Sequence, residues 1–245
     1  MKLCRPVLMK QTLNVLSYNL HKGRTVFKKR YNIKNLKEII FSLDFDIGFF
    51  QEVLSKQHST AKLSNQLEVL ADEKWTEFSF AKNSIVSNHE HGNAILSKYP
   101  IIENHILDLT LNRLEKRSAI FTKIAYNGHN IICICTHLNL LLKDRRVQID
   151  KILEFLSSIK NEQEEELVIF AGDFNDWTSE IEHLLRGKGF LTSAEKLNTF
   201  PSQLPLLPLD KIFYLNHADS ACHIGSGKIY RKYSDHLPYI SRVDF

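Results

Sequence analysis

Apolar residues along the chain fall into short runs separated by polar clusters, and the runs carry two different periods. Residues 13–18, 47–50, 94–97, 118–124, 131–136 and 167–171 are rich in β-branched and aromatic side chains and read as strands. Several are apolar at successive positions, as in the covered centre of a sheet. Between them the period lengthens. Ile33, Leu36, Ile40 and Leu43 make one helical stripe, and Ile149, Ile152, Leu153, Leu156 and Ile159 make a second. A third helix is predicted over 178–186, with Ser179 and Glu182 as a capping box and Gly187 or Gly189 as its stop. There is no repeat, low-complexity segment or linker in the 245 residues. One α/β domain is therefore predicted, with sheets inside and helices outside.

The polar clusters sit just past the strand ends. Asn19 and His21 follow the first strand and Gln51–Glu52 the second, while Thr136–His137 and the run from Gly172 to Asn175 follow two later ones. Loops at strand ends are where a rigid scaffold presents chemistry. Glu52 closes DIGFFQEV, placing a carboxylate at the tip of a buried strand. Mg²⁺ is usually held by one or two carboxylates plus water, and a solvated strand-end glutamate is the other reading. In VIFAGDFND, Gly172 lets the backbone turn, and Asp173 and Asn175 sit two apart, where both can face one pocket. A carboxylate there can deprotonate water and an amide can donate to a phosphoryl oxygen; the pair also reads as an Asx-capped turn. Asp235 and His236 in YSDHLPY set a carboxylate beside a histidine, which fixes its tautomer or charge. They also read as a polar loop before a final strand. His137 in CICTHLNL ends another apolar strand, where a structural histidine is the commoner finding. Asp210 in PLDKIFY lies among apolar neighbours and needs a partner, which a histidine would supply.

Composition narrows the picture modestly. The net charge of +4, from 32 basic and 28 acidic residues, permits an anionic substrate. It falls short of the basic blocks that by themselves argue for nucleic acid. Cys4, Cys133, Cys135 and Cys222 are too scattered for a disulfide framework, and Cys133 and Cys135 in IICIC read as buried reduced thiols. The first ten residues are broken by Arg5 and Pro6 and do not read as a signal peptide. No apolar run approaches the ~20 residues of a membrane span. The expected compartment is the cytoplasm and the expected assembly a monomer. Met9 is an alternative start that would remove Cys4.

Taken in order, these residues form a series: Asn19 in LSYNLHKG, Glu52 in FFQEV, Asn93 in HGNAILSKYP, His137 in THLNL, Asp173 and Asn175 in GDFND, Asp210 in LDKIF, and Asp235–His236 in SDHLP. The series resembles the endonuclease/exonuclease/phosphatase superfamily, which includes pancreatic-type deoxyribonucleases, abasic-site endonucleases, bacterial sphingomyelinases and inositol-polyphosphate 5-phosphatases. The resemblance runs from about residue 13 to residue 243. Its NLHKG, GNAILSKYP and GDFNDW segments look most like small stand-alone bacterial members of unassigned substrate.

The resemblance implies a four-layer α/β sandwich, two packed mixed β-sheets flanked by helices, of the DNase-I-like kind. It implies a Mg²⁺-dependent phosphoesterase, with Mn²⁺ able to substitute, that attacks a phosphodiester with water and forms no covalent intermediate. By position, Asn19 and Glu52 hold the cation, and Asp235 joins them through water or orients the neighbouring histidine. Asp173 activates the water, and Asn175 and His137 bind phosphate oxygens. His236, held by Asp210, is protonated and stabilises the transition state or the leaving oxygen. Asn93 is assigned to the substrate, and His21 to a second metal or a phosphate. Arg117 grips a phosphate or makes a strand-edge salt bridge. Arg145 and Gln148 buttress the His137 loop.

The substrate stays open between nucleic acid and a phospholipid or small molecule. The nuclease reading rests on Lys22, Arg24, Lys28, Lys29 and Arg30 with Phe27 and Tyr31 interleaved, and on Arg231 and Lys232. The lipid reading rests on FPSQLPLLPLD, residues 200–210, as an apolar loop beside the site; a buried connection beneath it is the alternative. The rival from another class is a metal-binding interaction module without turnover, although no expected catalytic residue is missing.

Overall fold

The computed structural model describes residues 12–23, 33–55, 70, 74–86, 89–160, 166–193, 195–216, 219–225 and 228–244. Cys4, Met9 and the basic stretch from Arg24 to Tyr31 lie outside them.

The described strands form two mixed sheets. The first holds β1 (Thr12–Asn19), β2 (Ile47–Ser55), β3 (Glu77–Val86), β4 (His89–Ser97), β10 (Asp219–Ile224) and β11 (Tyr239–Asp244), in the order β10-β11-β1-β2-β4-β3. The second holds β5 (Ile101–Asp108), β6 (Ser118–Tyr126), β7 (His129–His137), β8 (Leu167–Asp173) and β9 (Asp210–Leu215), in chain order. Each sheet has one parallel pair, β1 with β2 and β7 with β8, and every other described pairing is antiparallel. The carboxyl ends of both parallel pairs lie at one edge of the molecule.

Three apolar clusters make the layers. Val15, Phe49 and Ile95 meet Ile120, Cys133, Ile169 and Tyr214 between the sheets. Leu16, Tyr18 and Phe50 pack outward onto Leu36 and Ile40 of α1 (Ile33–Ser42). Ile134, Phe170 and Phe213 pack outward onto α2 (Leu142–Ile159) and α3 (Glu180–Gly187). A fourth helix, α4 (Lys228–Tyr233), precedes β11. On α2 the buried positions Ile149, Ile152 and Leu156 fall at helical spacing, each stabilising the fold by roughly 1.5–3 kcal/mol. Helix, sheet, sheet, helix is the four-layer sandwich expected.

Two local expectations need correction, and one open choice is decided. Ser179 does not cap α3: its φ is 61° and its side chain makes no cap hydrogen bond. Asp176 does that work instead, its Oδ2 accepting the Glu182 N–H at 3.0 Å. Gly189, not Gly187, ends the helix. It adopts φ +89° while its N–H and that of Phe190 return to Arg186 and Leu185. Gly172 is not a turn residue either. It lies within β8 opposite Thr136, and a Cβ there would sit 2.0 Å from the Thr136 carbonyl oxygen, so it permits the close approach of β7.

Candidate active site

The carboxyl ends of β1 and β8 meet across the two sheets. Asn19 closes β1 and its Nδ2 donates to Asp173 Oδ2, at the end of β8, at 3.0 Å. The same oxygen lies 3.4 Å from His137 Nε2, at the end of β7, and 3.7 Å from His236 Nε2. Asp173 Oδ1 accepts the Asn175 N–H at 3.0 Å, while Asn175 Nδ2 donates to the Leu138 carbonyl at 2.9 Å. One carboxylate is thus ringed by an amide and two imidazoles drawn from three other chain segments.

His236 is held from behind. Its Nδ1 lies 2.7 Å from Asp210 Oδ2, a buried oxygen that also accepts from Thr199 Oγ1 at 2.5 Å. Burial works to lower the pKa of His236, but Asp210 and Asp173 outweigh it and push it up to about 10. Burial raises Asp173 above the usual carboxylate range, against the pull of His236, and Asp210 adds to the rise. His137 stays neutral: burial first, then the charge of Arg117, drives its pKa well down. Ser234 ties the loop to β1, donating to the Asn19 carbonyl at 2.6 Å and accepting the His236 N–H at 3.1 Å.

Glu52 is not the tip of its strand, because β2 continues to Ser55. A bulge between Phe50 and Val53 sets Gln51 and Glu52 together opposite Asn93, and Glu52 takes φ 56°. This strained backbone turns the carboxylate out of the pleat. Among the described residues, four of the eight non-glycine positions with positive φ, His21, Lys22, Glu52 and Asn175, lie in these strand-end clusters, where strain gathers at sites of function. Glu52 Oε2 is buried and accepts no well-aligned hydrogen bond, yet Lys22 Nζ stands 3.0 Å from it and His91 Nε2 3.7 Å. Burial works to raise its pKa; His91, His137 and Lys22 overcome that and hold it well below the usual carboxylate range.

The remaining residues fall around this centre. Asp235 pairs with His21, Oδ1 to Nδ1 at 2.6 Å, and leaves the orienting of His236 to Asp210. Asn93 Nδ2 donates to the Ser118 carbonyl at 3.0 Å, and its Oδ1 is buried without a partner. Arg117 makes the salt-bridge contact of its two readings, Nη2 to Glu115 Oε1 at 3.4 Å. Gln148 accepts the Asn139 N–H at 2.9 Å and donates to the Leu109 carbonyl and Asn139 Oδ1, and Arg145 Nη1 bonds the Leu140 carbonyl. Both residues fasten the loop after His137. The 200–210 segment is both things the sequence allowed: Phe200 packs 4.9 Å from the His236 ring and Leu209 is buried, while Leu204 and Leu206 are exposed. Thr199, Ser234 and His91 escaped the sequence reading. Only the S of SDH offered a signal.

Two groupings compete as a cation site. Asp173, Asp210 and His236 bring ligand atoms within 4.8 Å of one another. His236 has its Nδ1 engaged by Asp210 and stays protonated to about 10, so it lacks a free lone pair. Glu52 fits better. Its buried oxygen lacks a well-formed hydrogen bond, it stays ionised, and an ammonium already sits against it. A carboxylate beside amide oxygens suits a hard divalent ion.

Among the described residues no helix is long and apolar enough to cross a membrane. Residues 16–236 match the Endonuclease/Exonuclease/phosphatase family. The uncharacterized protein YbhP of Escherichia coli (strain K12) is 31% identical over 247 residues, covering 95% of this chain and 96% of YbhP. An endonuclease/exonuclease/phosphatase from Beutenbergia cavernae superimposes with a TM-score of 0.79 at 16% identity, over 95% of this chain and 71% of that one. The mannosyl-6-phosphatase Bt3783 of Bacteroides thetaiotaomicron does so at 0.72 and 18%, over 94% and 98%. With nearly its whole length aligned to YbhP, and with the family match running from β1 to His236, this chain belongs to the endonuclease/exonuclease/phosphatase family.

Proposed function

We propose that the protein is a Mg²⁺-dependent phosphodiesterase that transfers the phosphoryl group directly to water. Family membership already carries the coarser statement, hydrolysis of phosphate esters. The observation that carries the finer one is the Asp173–His236–Asp210 arrangement. A carboxylate of raised pKa lies 3.7 Å from a buried histidine that a second carboxylate keeps protonated.

In this reading Asp173 Oδ2 takes a proton from the attacking water as the water oxygen bonds to phosphorus. His236 gives its Nε2 proton to the departing oxygen as the phosphorus–oxygen bond breaks. The products are a phosphomonoester and an alcohol. Asn19 holds Asp173 in place through its 3.0 Å hydrogen bond. Neutral His137 and Asn175 donate to non-bridging oxygens, with Asn93, Arg117 and His21 at the margins of the substrate. Glu52 and Asn19 would hold the cation, with Asp235 reached through water, and Lys22 would give up its place on Glu52. When bound, the ion neutralises charge developing on the phosphoryl oxygens.

The test is hydrolysis of bis(p-nitrophenyl) phosphate by purified protein with Mg²⁺ or Mn²⁺, beside His236→Ala and Asp173→Asn. Each substitution is expected to lower turnover ~10²-fold or more. A His236→Ala protein with wild-type turnover would sink the assignment. Binding of Mn²⁺ without turnover of any phosphodiester would favour the interaction-module reading.

A further inference from the structure

Large apolar side chains are exposed where this site opens. Leu114 is 95% exposed, Leu204 65%, Leu206 61%, Leu141 54%, Leu140 52% and Trp177 46%. Exposed leucines scattered singly are ordinary; these are not scattered. Leu114 lies in the loop between β5 and β6, which opens at the edge where Ala119 pairs with Thr136. Leu140 and Leu141 follow His137 and begin α2, and Trp177 comes two residues after Asn175. Leu204 and Leu206 lie in the loop whose Thr199 bonds Asp210 and whose Phe200 packs on His236.

The loops on the His137 side are fastened together. Asn112 and Asn139 both donate to Asp144, and Arg146 bonds Glu180 of α3, just past the Trp177 turn. Apolar side chains therefore flank the catalytic residues on both sides, held on supported backbone.

The chemistry of these side chains selects the partner. A single-stranded nucleic acid is gripped by aromatic platforms on which bases stack. Five of these six residues are leucines, which offer no stacking face but enter the acyl boundary of a bilayer, and tryptophan favours the headgroup level. The same loops carry exposed Arg113, Lys116 and Lys143. Their acids are engaged locally, Glu115 with Arg117 and Asp144 with the two asparagines. Such a rim is complementary to anionic headgroups.

We propose that this edge seats on an anionic phospholipid surface, and that the diester hydrolysed at the site belongs to a phospholipid headgroup. This rests on the phosphodiesterase reading above. Water bonds to the headgroup phosphorus, one of its two ester bonds breaks, and the proton transfers are those already assigned to Asp173 and His236. The surface supplies the substrate without its leaving the bilayer.

Sedimentation of the full chain with phosphatidylcholine vesicles, with and without phosphatidylglycerol, tests this. The variants are Leu140→Ser/Leu141→Ser and Leu204→Ser/Leu206→Ser. Wild-type protein is expected to sediment with the phosphatidylglycerol vesicles, and each variant to bind about tenfold more weakly or less. Melting temperature and turnover of bis(p-nitrophenyl) phosphate stay unchanged, because the replaced side chains are exposed. Wild-type protein left in the supernatant with both vesicles overturns the proposal, as do variants that still sediment. It is equally overturned if the variants lose affinity for a single-stranded oligonucleotide that the wild-type protein cleaves. Vesicle binding that depends on the leucines, in a protein that turns over no diester, keeps the docking surface and removes the phosphodiesterase reading instead.

Discussion

Replacing Asp210 with asparagine preserves the shape of a buried pair and removes its charge. Asp210 is fully buried, and its Oδ2 receives both His236 Nδ1 at 2.7 Å and Thr199 Oγ1 at 2.5 Å. It is the largest influence raising His236 against burial, and Asp173 is the next. Without that charge, the imidazole is expected to return toward the ordinary histidine value of about 6.5. At pH 8 the protonated fraction then falls from nearly all to roughly 3%. Loss of the acid alone costs ~30-fold in turnover, and loss of the positive charge beside the leaving oxygen takes the total to ~10²-fold.

The pH dependence has a definite sign. A histidine whose folded pKa is raised stabilises the fold fully below about 6.5 and loses that contribution as pH rises through about 10. In Asp210→Asn the loss comes earlier, and breaking one side of the buried pair costs about 3–5 kcal/mol. The assay is the pH–rate profile of diester hydrolysis in wild type and Asp210→Asn, read beside an NMR titration of the His236 imidazole. The alkaline limb, near pH 10 in wild type, is expected to move toward neutrality with the NMR titration. A variant whose limb and imidazole titration both stay at the wild-type position would refute the reasoning.

Three further outcomes follow from separate parts of the structure. Gly172→Ala places a Cβ 2.0 Å from the Thr136 carbonyl and forces β7 and β8 apart, so the melting temperature is expected to fall by an amount equivalent to about 3 kcal/mol or more in thermal unfolding. Glu52→Gln removes the ionised carboxylate from the bulge, and calorimetry is expected to show lost Mn²⁺ affinity together with a ~10²-fold drop in turnover, while the fold survives. Glu182 pairs with Lys211 and Arg186; burial opposes the ionised form, but the Lys211 hydrogen bond and charge outweigh it and leave the pKa below its ordinary value. That contribution is present above about pH 4.5 and is lost as pH falls through the lower folded value, so urea titrations of Glu182→Gln are expected to show a shallower acid decline than wild type.

What the sequence made legible follows from where the physical signal was local. The covered runs 131–135 and 167–171 are apolar at every position, so the existence of their strands needed no tertiary information. Strand β5 gave no such signal, because positions 102–106 are all exposed at the edge of its sheet. The pairing of Asp210 with a histidine was legible because a carboxylate among apolar neighbours requires one. The site of Glu52 was legible, but its aim was not: the sequence placed Glu52 at the tip of a strand over 47–50, whereas β2 runs on to Ser55 and the bulge that turns Glu52 is set by pairing with β4. His91, Thr199 and Ser234 act through partners on other elements, and apart from the place of Ser234 in SDH nothing in their own segments marks them.

The two carboxylates at the centre show how one fold separates two tasks. Asp173 is buried and Glu52 is partly buried with its Oε2 out of contact with solvent, and desolvation alone would raise both. Their neighbours decide otherwise. Glu52 faces His91, His137 and Lys22, which hold its pKa down, and it stays ionised as a cation ligand must. Asp173 faces His236 on one side and Asp210 on the other. The second carboxylate that keeps His236 protonated also makes the charge of Asp173 less comfortable and its oxygen more basic. In the proposed mechanism Asp210 therefore tunes both partners at once, sharpening the acid and the base from one buried position. This coupling explains why the acid, the base and their tuner must come from β8, β9 and the loop before β11. Only the packing of those elements at one end of the two sheets brings the acid and the base to a single phosphorus atom with Asp210 behind them.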